Sequence, residues 1–200
     1  MATRERWPTS NSPSPSRLSA ASPAQIAPIV ILVAGIAVLV VRPFIVAGPE
    51  PRTVLFALSY VAIWAAALAP PIRAEQGTLS VAFTFAIGLA AVALASALAG
   101  TAVPMPSSAW AAPLAFLAAV AEEALFRRTA YAQLARFGVV AAILGSAALF
   151  AAVHAPAYGV AALPVDLGAG LLFGWQRWAS GSWIVPAGTH AAANLWVVLA

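Results

Sequence analysis

The chain has 200 residues, 62% of them hydrophobic and only 8% charged, with a mean hydropathy of +0.92; a soluble domain carries about 25% charged residues. So few charges exclude a water-covered globular surface, and the length excludes a second globular domain beside a membrane one. The net charge of +4 comes from ten arginines with no lysine, scattered between apolar runs in a pattern that fits topology control and excludes a nucleic-acid partner, while the lack of cysteine excludes disulfides, thiolate metal sites and a cysteine nucleophile.

Residues 1–25 are rich in Ser, Pro and Arg and have no apolar face, which predicts a disordered cytoplasmic tail. Residues 26–200 form one transmembrane helical domain. Its seven apolar runs are 26–46, 54–70, 79–99, 109–127, 138–154, 161–176 and 183–200. The first is an uncleaved span rather than a signal peptide, because the polar break at Arg42-Pro43 is not a small-residue cleavage site. Pro49-Glu50-Pro51, Pro70-Pro71 and Pro104-Met105-Pro106 mark loops. The runs are continuous rather than alternating, which argues against strands. The expected fold is therefore an all-α polytopic membrane protein, a bundle of about seven transmembrane helices. With a cytoplasmic N-terminus, Arg4, Arg6, Arg17, Arg73, Arg128, Arg136 and Arg177 fall inside and only Arg42 and Arg52 outside. The Arg-only, Ala-rich composition points to a GC-rich bacterial genome, hence a multi-pass protein of the bacterial plasma membrane.

A charge at the bilayer centre costs roughly 2.5–3.5 kcal/mol on insertion scales, so polar residues inside the runs need a reason. They fall in three clusters. Late in the fourth run stands Glu122-Glu123-Ala124-Leu125-Phe126-Arg127-Arg128. Neighbouring helix residues point about 100° apart, so Glu122 and Glu123 diverge. Glu123 and Arg127 are spaced for an i, i+4 ion pair, leaving Glu122 free to face the bundle interior, while Arg128 reads as the cytoplasmic end of the span. The fifth run ends in Phe150-Ala-Ala-Val-His154, with Pro156 expected to stop the helix. The last run holds His190-Ala-Ala-Ala-Asn194, whose spacing puts imidazole and carboxamide on one helix face. Taken singly, His154 reads equally as a helix-end residue, and His190 with Asn194 as a helix–helix hydrogen bond. Together, one carboxylate, two imidazoles and an amide on three helices form a set that can activate water and stabilise a tetrahedral intermediate. Counting helical rise places Glu122 and His190 at one depth and His154 further outward, a gap that helix tilt narrows. Asp166, after Leu163-Pro164, reads as an acid complementing a helix start.

The three clusters resemble the signature motifs of the CPBP family, the CAAX-protease and bacteriocin-processing membrane endopeptidases also called Abi. The motifs are Glu122-Glu123-x-x-x-Arg127, Phe150-x-x-x-His154 and His190-x-x-x-Asn194, in that order. Leu171-Leu172-Phe173-Gly174-Trp175 and Gly181-Ser182-Trp183-Ile184-Val185-Pro186-Ala187 are similar to the family's run before its last histidine. The resemblance covers about 109–200, with no signature in the first three runs. It implies a membrane endopeptidase similar to CAAX prenyl protease 2, acting on a membrane-associated peptide. Glu122 would be the general base, His154 a holder of the water, and His190 and Asn194 oxyanion donors. Glu123 and Arg127 would brace the fourth helix, with Phe126 and Phe150 packed around the site. Two mechanisms stay open: a metal-free glutamate, or Zn²⁺ held by Glu122, His154 and His190. Two rival functions stay open beside it, a proton-coupled transporter and a non-catalytic scaffold or immunity-type protein of the same fold.

Overall fold

A computed structural model describes residues 23–45, 51–71, 77–99 and 109–199. They are all helical, without strands. In chain order come α1 (Pro23–Ile45), α2 (Pro51–Leu68), α3 (Val81–Ala99) and α4. The last of these starts as Ala111–Glu123, widens without a break into a π-helix at Ala124–Ala130 and closes over Tyr131–Leu134. Then follow α5 (Val139–Tyr158), α6 (Leu163–Ser180) and α7 (Ile184–Leu199). Each apolar run is thus one helix. Residues 1–22 of the predicted tail, with Pro49-Glu50 and Pro104-Met105-Pro106, lie outside the described residues.

Arg42-Pro43 lies in the last turn of the first helix, inside the first run as read from the sequence. Two boundaries differ from expectation. Pro156 lies inside α5, which runs on to Tyr158, because a proline in the last turn forfeits only one backbone bond. The fourth run continues as helix well past Arg127. Gly159, at φ 79° and ψ 168°, ends α5 in a backbone region that is essentially glycine's own and costs a residue with a Cβ about 1–3 kcal/mol. Asp166 stands in the first turn of α6 behind Pro164, as the sequence indicates.

The most extensive packing is between α5 and α6. A Cβ on Gly170 would lie 2.9 Å from the Cα of Ala147, and one on Gly174 3.2 Å from Cγ2 of Ile143. Gly170-x-x-x-Gly174 is therefore a small-residue face that lets two backbones touch. On the opposite flank α4 lies between α2 and α7. The core they enclose contains Leu39, Tyr60, Ile63, Leu125, Phe126, Phe150 and Phe173.

Polarity is distributed inside out. Glu122, Glu123, Arg127, His154, His190, Gln176 and Arg177 are buried, whereas Val33, Leu94, Leu98, Val140 and Val165 are exposed. Among the described residues three helices are long and apolar enough to cross a membrane, Ile26–Phe44, Val81–Leu98 and Val139–Tyr158, with shorter apolar helices at Thr53–Leu68 and Ile184–Leu199.

Candidate active site

The site starts from the divergence of two neighbouring acids on α4. Both are buried, and they turn to different imidazoles. Oε2 of Glu122 faces Nε2 of His154 at 3.5 Å; Oε1 of Glu123 meets Nδ1 of His190 at 3.1 Å. The expected meeting of one carboxylate with both imidazoles is thus replaced by two acid–histidine pairs. They sit on either side of Phe150, whose ring lies 4.5 Å from the His154 ring and 5.5 Å from that of His190. The depth mismatch inferred from helical rise disappears: His154, in the next-to-last turn of α5, reaches Glu122 directly.

One ring nitrogen of His154 has a defined role. Its Nδ1 is 2.7 Å from the carbonyl oxygen of Phe150, which can only accept, so Nδ1 carries the proton. Nε2 is therefore the atom turned to Glu122. The ring also stacks on Tyr158 at 5.7 Å and 12°. His190 is set the opposite way. Its Nδ1–H donates to Glu123, the ring stacks on Phe173 at 5.0 Å, and Nε2 is left for chemistry. A carboxylate that fixes the far nitrogen of a working histidine is a common way to set its orientation and tautomer.

Glu123 also binds Arg127, Nη1 to Oε1 at 3.2 Å, with both side chains wholly buried. Nη2 of Arg127 donates to the Gly170 carbonyl at 2.9 Å, and its guanidinium lies 4.7 Å from the ring of Phe150 and 5.3 Å from that of Phe173. Phe126 meets Phe150 edge-on at 5.7 Å. Carboxylate, carbonyl and aromatic faces together compensate a charge whose isolated burial would be prohibitive. The wide π-turn after Glu123 disturbs the regular backbone ladder, and side chains attend to it. Thr129 Oγ1 donates to the Ala124 carbonyl at 3.2 Å, and Nε of Arg177 to that of Arg127 at 3.1 Å.

Other placements depart from the sequence reading. Arg177, read from the sequence as a charge on the cytoplasmic side, is buried within the bundle. Arg128 does not simply end a span: it bonds the carbonyls of Ala67, Leu68 and Pro70, closing the C-terminal end of α2. Asn194 shares its helix with His190 and donates one N–H of its amide, through Nδ2, to the Ala115 carbonyl at 3.2 Å. Two residues near the acids were missed, Arg42 and Tyr60. Nη1 of Arg42 contacts Oε1 of Glu122 at 3.1 Å and also bonds the Tyr60 hydroxyl. The signal was there in Arg42, a lone charge closing a long apolar run.

The zinc set of Glu122, His154 and His190 does not fit this arrangement. Among the described residues no three His, Asp or Glu side chains group to hold a metal ion, since His190 is drawn to Glu123.

Fold and site together define a class: a helical protein that hides acids, histidines and arginines beneath apolar outer faces. The segment of residues 104–196 matches the family described as Rce1-like, type II CAAX prenyl endopeptidase Rce1-like, in agreement with the CPBP resemblance of the three motifs. It contains Glu122, Glu123, Arg127, His154, His190 and Asn194, and excludes α1, α2 and α3. No curated protein and no solved structure matches the chain.

Proposed function

We propose that the protein is an intramembrane endopeptidase that hydrolyses a peptide bond of a membrane-associated peptide or protein. The observation that carries this is the Glu122–His154 pair. With Nδ1 of His154 committed to the Phe150 carbonyl, Nε2 faces a carboxylate oxygen 3.5 Å away, and in the neutral form of the ring that nitrogen carries a lone pair. Two acceptors at that separation, longer than a charge-assisted hydrogen bond of about 2.7–2.9 Å, suit one water donating to both.

In this mechanism Glu122 takes a proton from that water as the oxygen attacks the peptide carbonyl carbon. The oxyanion that forms is met by His190 through Nε2, as the protonated ring, with Glu123 behind it, and by the second N–H of the Asn194 amide. The C–N bond then breaks, and Glu122 returns its proton to the leaving amine. Phe126, Phe150 and Phe173 keep bulk water from the pair. The family of residues 104–196 supports the peptide bond as the target, and the apolar outer faces support a bilayer around it. The bilayer is taken to be a bacterial plasma membrane, crossed by all seven helices with the N-terminus cytoplasmic.

The test is purified protein in proteoliposomes given a membrane-tethered peptide. The parent is expected to release a fragment whose mass gives the cut, and Glu122→Ala none; equal release by both ends the proposal.

A further inference from the structure

Glu122 has two oxygens and they are divided. Oε2 faces His154, and Oε1 is held by Nη1 of Arg42 at 3.1 Å. The same nitrogen bonds the Tyr60 hydroxyl, and the Arg42 guanidinium carbon lies 5.8 Å from the Tyr60 ring centre. Arg42 is on α1 and Tyr60, which is buried, is on α2, so both lie outside the segment that matches the family.

A buried carboxylate needs a compensating cation. On its own helix the charge of Arg127 is taken by Glu123. Without Arg42, the nearest group able to supply a positive charge is His154, which would become an imidazolium donating Nε2–H to Oε2. In such a pair Nε2 has become a donor, so the histidine offers no acceptor to a water. With Arg42 in place the charge is balanced from α1, and His154 can stay neutral with its Nε2 lone pair available.

We propose that Arg42, steadied by Tyr60, is the counter-ion that leaves Glu122 and His154 as two acceptors for one water instead of an ion pair with each other. The inference rests on the endopeptidase reading and adds to it: Arg42 and Tyr60 are positioning residues, and α1 and α2 complete the active site rather than merely enclosing it. Because a single nitrogen makes both contacts, a lysine ammonium can stand in for the guanidinium here, although the two are not interchangeable where a bidentate fork is used.

The experiment measures kcat and KM separately for the parent, Arg42→Gln, Arg42→Lys and Tyr60→Phe in proteoliposomes with the membrane-tethered peptide. Arg42→Gln is expected to lower kcat by about tenfold or more, within the range of a general-base contribution, with KM within about twofold. Arg42→Lys recovers most of that loss, and Tyr60→Phe gives a smaller loss in kcat. A parent-like kcat for Arg42→Gln overturns the inference, and so does an equal loss in Arg42→Gln and Arg42→Lys, which would mark a purely structural tether of α1. If Arg42→Gln does not fold, Tyr60→Phe decides, since it keeps the ring and its packing: a reduced kcat supports the inference and a parent-like kcat overturns it. A parent that cleaves nothing defeats the endopeptidase reading itself, a different result from an active parent whose Arg42→Gln form is equally active.

Discussion

Glu123 binds His190 through the same oxygen that holds Arg127, at 3.1 Å to Nδ1 of the histidine and 3.2 Å to Nη1 of the arginine. One carboxylate therefore does two things: it neutralises a fully buried guanidinium and sets the direction of an imidazole on another helix. Removing it leaves the buried cation without its partner, a change that costs about 3–5 kcal/mol. Glu123→Ala should lower the thermal unfolding midpoint of the detergent-solubilised protein far more than Glu122→Ala does, since Arg42 is partly exposed (14%) and can rehydrate. Equal shifts would show that Glu123 does not hold Arg127.

Gly170 joins packing to charge. A Cβ there meets the backbone of Ala147 at 2.9 Å, and the Gly170 carbonyl accepts from Arg127. Gly170→Leu should force α5 and α6 apart and destabilise by about 1–3 kcal/mol, typical of overpacking, with loss of peptide cleavage as the Glu123–Arg127–His190 chain shifts. Thermal unfolding checks the first effect and cleavage the second. A variant as stable and active as the parent would contradict the close approach of these helices.

The three site helices were legible in the sequence because polar residues are rare in apolar runs, and each one stood out against its surroundings. Glu122, His154 and His190 were found that way, as was the Glu123–Arg127 pair from its spacing. What escaped did so for physical reasons. From the sequence Arg42 reads as a charge on the outer side of the first span, whereas it lies in the last turn of α1 and bonds Glu122. Tyr60 carried no signal, since a tyrosine in an apolar run is ordinary core. The pairing of His190 with Glu123 depends on how α7 packs on α4, and the π-turn after Glu123 depends on tertiary partners such as Arg177. Neither has a local pattern.

The orientation proposed for the chain also makes a prediction. The absence of cysteine makes single-cysteine variants clean probes. Phe137 and Val160, both exposed, flank α5 at opposite ends. With a cytoplasmic N-terminus, Phe137→Cys should react with a membrane-impermeant thiol reagent only from the cytoplasmic side and Val160→Cys only from the other. The reverse result would invert the topology.

The donor arrangement bears on metal dependence. Because His190 is committed to Glu123 and the mechanism routes no step through a metal, cleavage should persist within about twofold after dialysis against a strong chelator. Loss of cleavage restored by added zinc would require His190 to leave Glu123 and join the other pair.

The most direct measurement of the Glu122–His154 pairing is cleavage of the membrane-tethered peptide by the parent, Glu122→Gln, His154→Gln and the double variant under identical conditions. If the two side chains hold and activate one water, each single change should cost about 10²–10⁴ in kcat, the range for general acid–base catalysis, and the double variant should be no slower than the slower single, because residues acting as one unit do not add. A Glu122→Gln protein as fast as the parent, or losses that multiply in the double variant, would contradict it.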